Sequence, residues 1–262
     1  MLTHPLENLD PAQSVQILPR HLAGPGVADP RAVWAFPFDE RWPFAQTEAG
    51  TAAASSPCLR LQTTFDPQPD KPGKGTWTIN AHRAPFTKPA WRITFDATTP
   101  VELLHDVHTE LLDLYLEDRH SDRDWLFKEP MAEHPAYAPL LARGWRHEVK
   151  TDGTQSFFTP EGLGGVRHQY ATAAPKGVVW RAWGGFVDEP HWTARFSFGT
   201  PTTLVAAFTA SLISTQPLQR TVQDVPTSTR RALYIATPTG RQPSGTTPVV
   251  PPPPAPASGH TR

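Results

Sequence analysis

The chain repeats itself at long range, and that repeat limits its possible folds more than any other feature. Pro89-Ala-Trp91-Arg-Ile-Thr-Phe95, followed by Thr99-Pro100, returns as Pro190-His-Trp192-Thr-Ala-Arg-Phe196, followed by Thr200-Pro201, with the shared residues at an offset of 101. Trp77 and Trp180, and Trp42 and Trp145, correspond at an offset of 103, so only short loop differences separate the copies. Units of about 100 residues are too long for a solenoid and suit a small domain. A tandem duplication of one domain is expected.

Within each copy the hydrophobic period is two and then becomes helical. Leu59-Arg-Leu61-Gln-Thr63-Thr-Phe65, Trp77-Thr-Ile79-Asn-Ala81 and Trp91-Arg-Ile93-Thr-Phe95 alternate apolar and polar as half-buried strands do. Val166-Arg-His168-Gln-Tyr170, Val178-Val-Trp180-Arg-Ala182 and Trp192-Thr-Ala194-Arg-Phe196 repeat them, and earlier strands are expected around Trp42 and Trp145. Thr99 as N-cap, Pro100 at N1 and Glu102 at N3 read as a capping box, and Thr200-Pro201 repeats the start signal. The first helix places Leu103, Leu104, Val107, Leu111, Leu114 and Tyr115 on one face, and the second Leu204, Val205, Phe208 and Leu212. The expected fold is α+β: two tandem units, each a four-stranded antiparallel sheet followed by one helix, packed as a pseudo-dimer, the usual symmetric solution for paired identical units.

The limits that follow are an N-terminal extension over 1–20, repeats over 21–120 and 121–215, and a largely disordered tail over 216–262. The 31 prolines in 262 residues are more than twice the usual share of about 5% and exclude a helical bundle. Ten of them fall in the tail, where residues 249–257 (VVPPPPAPA) favour polyproline II and ALYIA at 232–236 reads as a short docking strand. The formal charge of −1 excludes a diffuse basic field, yet it is a cancellation: 21–120 carries −4, 121–215 is neutral and the tail is +4. The uncharged helix at 203–213 is expected to be more buried than the acidic first helix, or to be a partner surface. With no basic n-region, no apolar run near the ~20 residues of a membrane span and a lone Cys58, a cytoplasmic protein is expected.

Ser56-Pro57-Cys-Leu-Arg60-Leu61, the Trp77 strand, Pro89-Ala-Trp91 through Phe95 and Thr99-Pro100 with its helix together resemble the actinobacterial SPDY-domain family of unknown function, here in two copies. His21-Leu-Ala-Gly24 is similar to the start of that family. Cys58 stands where the family signature has Asp, and the second copy has Thr159-Pro160-Glu161. The resemblance implies domain limits and carries no activity.

The candidate site is the polar face of the strands. It presents Arg60 and Arg92 in copy one and Arg167, Arg181 and Arg195 in copy two, with Trp183 beside Arg181 and Asn, Gln and Thr between them. No Asp or Glu shares that face, whereas Glu102, Asp106, Glu110, Asp113, Glu117 and Asp118 lie on the first helix. Guanidinium groups, hydrogen-bonding side chains and one aromatic ring are what single-stranded nucleic-acid binding needs, and the doubled sheet-plus-helix unit is similar to the Whirly class of single-stranded-DNA-binding folds. An open sheet face is polar in any case. DNA, single-stranded or duplex, and protein or self association therefore stand as rival partners for a non-enzymatic binding module.

Other chemistry lacks its motifs. Gly162-Leu-Gly164-Gly165 has no Lys-Ser/Thr after it, and there is no nucleophile elbow, paired Cys motif or HExxH, so no cofactor and no enzyme are expected. His105 and His108, three apart on the first helix, have no third ligand at a metal-site spacing. Cys58 reads as a half-buried structural thiol and His168 as a satisfied core histidine.

Overall fold

Period-two alternation becomes burial strand by strand, and the two copies join into one sheet. The computed structural model describes residues 5–27, 29–34, 41–68, 74–120, 124–128, 132–170 and 177–236. Strand β1 (Ser14–Leu18) and a single turn, α1 (Pro30–Val33), precede copy one. That copy runs β2 (Phe44–Gln46), β3 (Ala52–Ser55), β4 (Leu61–Asp66), β5 (Thr76–Ala81), β6 (Trp91–Asp96) and α2 (Val101–Arg119). After α3 (His134–Ala142), copy two runs β7 (Arg146–Val149), β8 (Gln155–Phe158), β9 (Gly164–His168), β10 (Val178–Gly185), β11 (Pro190–Ser197) and α4 (Thr202–Leu212), and β12 (Leu218–Thr221) and β13 (Tyr234–Ala236) follow. Each copy is thus a five-stranded meander rather than four strands. The additional strands, β3 in the Ala-rich AAAS and β8 in QSFF, have no alternation to announce them.

The meanders meet edge to edge in one ten-stranded antiparallel sheet of order β2-β3-β4-β5-β6-β11-β10-β9-β8-β7. At the junction Ile93 pairs with Phe196, Thr94 with Arg195 and Phe95 with Ala194. Under the offset of 101, Thr94 faces its own repeat equivalent, so a local two-fold axis passes between the two strands. Both helices and α3 cover the same face. The equivalent rings Phe95 and Phe196 meet edge to face at 6.0 Å, and both contact Phe208 of α4. Helix α4 contacts both α2 and α3, which accounts for its lack of charge: Leu204, Val205, Phe208, Thr209, Ser211 and Leu212 are all buried.

The helix starts lie one residue later than the capping boxes predict. Pro100 is extended (φ −52°, ψ 124°) and takes the N-cap position, the Thr99 hydroxyl is buried without a partner, and Glu102 turns outward to Arg220. Pro201 likewise precedes α4, and the Thr200 hydroxyl donates to the Ser197 carbonyl.

Residues outside the repeats build a second, three-stranded sheet of order β12-β1-β13, over a small core that includes Ile17, Leu22, Leu218 and Val222. The tail expected from 216 is therefore structured over 216–236, and ALYIA contributes β13; the polyproline stretch lies outside the described residues. Two buried arginines fasten this sheet to the helices. Arg220 grips Glu102 through its two terminal guanidinium nitrogens at 2.8 and 2.5 Å, and Arg20 donates to the Ser211 hydroxyl at 3.0 Å. No helix among the described residues is long and apolar enough to cross a membrane.

Candidate functional site

Strand register decides which of the candidate residues meet. Arg195 of β11 pairs with Arg181 of β10, and Arg181 pairs with Arg167 of β9. Facing residues on adjacent strands root their side chains about 5 Å apart, so three guanidiniums form one cross-strand ladder on the face opposite the helices. The row continues into copy one as Thr94, Thr78 and Thr64. These threonines are the repeat equivalents of Arg195, Arg181 and Arg167, so the two copies differ here, one half of the row being cationic and the other neutral.

Among the described residues none of the three arginines forms an ion pair. Arg167 Nε donates to the Ser156 hydroxyl at a long 3.4 Å, and Arg181 Nε is buried with no partner at all. Burial, then the charges of Arg195 and Arg167, holds the Arg181 pKa below the usual guanidinium value against the attraction of Asp96. Asp96 is itself engaged, accepting from both the backbone N–H and the hydroxyl of Thr193 at 2.8 Å. Asp96 thus lies on the face expected to hold no acidic residue, but one carboxylate already bonded to Thr193 leaves three like charges side by side, an arrangement that a further anion would relieve.

Arg92 adds to this face. It is exposed, donates from Nε to the Asn80 side-chain oxygen at 2.7 Å, and its backbone N–H donates to the Ser197 hydroxyl at 2.7 Å. Ser197 follows Arg195 by two on β11, which sets Arg92 diagonally beside the ladder. Next to it opens a cleft of about 580 Å³ lined by Lys88, Arg92, Val178, Ser197 and Phe198, with no acidic residue.

Two candidates lie elsewhere. Arg60 is drawn off by Asp124 at 2.6 Å and lies over the Phe127 ring at 4.8 Å, so it does not join the ladder. Trp183 is on the expected face but is 3% exposed. Its ring fills the space over Gly165 on the neighbouring strand, edge-on to Phe158 at 6.0 Å, with the Arg167 guanidinium 5.8 Å from its centre. The exposed ring beside the cations is Phe198, 45% exposed, which strand alternation alone did not single out.

Two of the buried histidines, His108 and His168, are structural. His108 donates from Nδ1 to the Leu104 carbonyl at 2.7 Å and accepts the Thr63 hydroxyl at Nε2 at 3.1 Å, while His105 is exposed, so the pair does not converge. His168 stacks on Trp180 at 4.1 Å and meets the Tyr137 hydroxyl at 2.6 Å, a satisfied core histidine as expected. Cys58 is exposed rather than half-buried, because it sits in the turn before β4.

Comparison with known proteins found no curated protein and no solved structure that matches. A family model does match, over residues 55–116 and 162–218. The first segment runs from the end of β3 into α2, the second from just before β9 to the start of β12, so each holds the last three strands and the helix of one copy. The chain carries two copies of the SPDY domain, a domain of unknown function (DUF317).

Proposed function

We propose that the chain is a cytoplasmic, non-enzymatic binding module that holds nucleic acid against the open face of its sheet. In this reading Arg167, Arg181, Arg195 and Arg92 contact phosphates, and the cleft beside Lys88 and Phe198 takes a base. The observation that carries the reading is the cross-strand ladder of three guanidiniums, none of which forms an ion pair among the described residues. The likeness to the Whirly class, in which paired sheets form the binding surface, supports it by analogy alone, with five strands per unit here.

The test is a salt titration of binding to labelled single-stranded and duplex DNA. Four phosphate contacts on a single strand give a slope of log affinity on log salt of about −3. Arg92→Glu with Arg195→Glu is expected to abolish binding and leave the far-ultraviolet spectrum unchanged. Absence of binding at about 50 mM salt, or unchanged affinity in the double variant, overturns the reading.

Exposed apolar side chains favour a second reading, association with protein. Phe86 is 92% exposed, and Phe186 and Val187 in the β10–β11 turn are 50% and 49% exposed. That reading predicts a concentration-dependent mass in sedimentation that Phe86→Ser with Phe186→Ser removes and that salt does not.

A further inference from the structure

The two copies differ where their helices end. In copy one α2 continues past Leu111 and buries Leu114 and Tyr115, and Tyr115 meets Trp42 edge to face at 5.2 Å. In copy two α4 stops at Leu212, the equivalent of Leu111, and Gln216 stands at the position of Tyr115. Trp145, the counterpart of Trp42, therefore meets no ring from the helix; only the smaller His21 imidazole stands edge-on to it, at 6.1 Å. A cavity of about 330 Å³ opens against it, within the size range of small-molecule sites.

Its walls are largely apolar, with Trp145, Leu212 and Leu233 among them. Inside is a polar pair: His21, its side chain 4% exposed, contacts Glu161 Oε1 through Nε2 at 2.5 Å, and Nδ1 is buried without a partner. Burial pushes the Glu161 carboxyl up, and the hydrogen bond and charge of His21 more than reverse this, leaving its pKa lowered. Arg143 and Arg231 also line the cavity, both are exposed, and neither has an ion pair among the described residues. The carboxylate in the cavity is thus engaged while two cations at its rim are not.

We propose that this cavity binds a small amphipathic anion, an aromatic or aliphatic carboxylate or sulfonate. Its apolar body lies against Trp145, Leu212 and Leu233, and its charged head sits between Arg143 and Arg231. The site is separate from the sheet face and does not rest on nucleic-acid binding.

The experiment uses the full chain and the fluorescent aromatic sulfonate 1-anilinonaphthalene-8-sulfonate, with decanoate as competitor. Expected is one saturable site per chain, displaced by decanoate, weakened roughly ten-fold or more by Arg143→Glu with Arg231→Glu, and lost in Ser214→Trp, which fills the cavity. Arg181→Glu with Arg195→Glu on the sheet leaves it unchanged. If Ser214→Trp does not fold by circular dichroism, the exposed double Glu variant decides. No saturable binding, several equivalent sites, failure of decanoate to compete, unchanged affinity in the double Glu variant or in a folded Ser214→Trp, or loss in the sheet variant overturns the proposal.

Discussion

Thr94 and Arg195 face each other across the central strand pair, and they are the same position of the repeat. The axis of the duplication therefore runs through the candidate surface itself. Arg195, Arg181 and Arg167 continue the row on one side and Thr78 and Thr64 on the other.

That ladder sets function against stability. Like charges directly opposite on adjacent strands destabilise a sheet by roughly 0.2–1 kcal/mol per pair, and salt screens part of this. Arg181→Gln removes the central charge, so it is expected to raise stability by up to about 1 kcal/mol at low salt and to lower DNA affinity at the same time. Urea unfolding at two salt concentrations, beside anisotropy titrations, checks both signs. A variant less stable than the parent at low salt would show that Arg181 is held by contacts that outweigh the repulsion.

How much of this was legible in the sequence depended on the range of the interactions. Trp91-Arg-Ile-Thr-Phe95 and its copy read as strands because a half-buried strand writes its two faces into alternate residues, and the shared offset carries the pairing symmetry. Ala52–Ser55 did not read as a strand, since alanines give no contrast between faces. The escape of Arg60 to Asp124, 64 residues away, is tertiary and leaves no local trace. The burial of Trp183 had a signal in Gly164-Gly165: glycine on a strand leaves room that a neighbouring aromatic ring can cover.

Trp183 therefore belongs to the fold rather than to a stacking surface. Trp183→Ala is expected to cost about 3–5 kcal/mol, the usual range for removing a buried ring of this size. Gly165→Ala should act from the other side, because its added methyl would lie 2.8 Å from the Phe157 carbonyl oxygen and against the Trp183 ring, at a cost of about 1–3 kcal/mol. Chemical denaturation measures both. A Trp183→Ala protein of unchanged stability that had lost DNA binding would restore the stacking role.

The Arg220–Glu102 pair ties the terminal sheet to α2. The side chain of Arg220 is 3% exposed and that of Glu102 is 30% exposed. Removing one partner strands the other charge, so Glu102→Leu should destabilise by about 3 kcal/mol. Arg220→Met with Glu102→Leu should recover most of that loss, because the penalty lies in the unpaired buried guanidinium. A double-mutant cycle in denaturant reads the coupling, and simple additivity would show that the two groups act independently.

Acid should act through His108. Burial lowers its pKa to about 4, against the hydrogen bond to Leu104 and with the charge of His105 adding to the effect. Unfolded, the imidazole has a pKa near 6.5, so between about pH 6.5 and 4 the unfolded chain binds the proton and the folded one does not. Stability therefore falls as pH drops through this window, by about 3 kcal/mol from this residue. His168 and His191, whose pKa values burial also lowers, act in the same direction, so the comparison has to be made within one substitution. His108→Gln is expected to be less stable than the parent at pH 7 and to lose about 3 kcal/mol less on going to pH 4. Parallel pH profiles for the two proteins would mean that His108 takes up its proton in the folded state as readily as in the unfolded one.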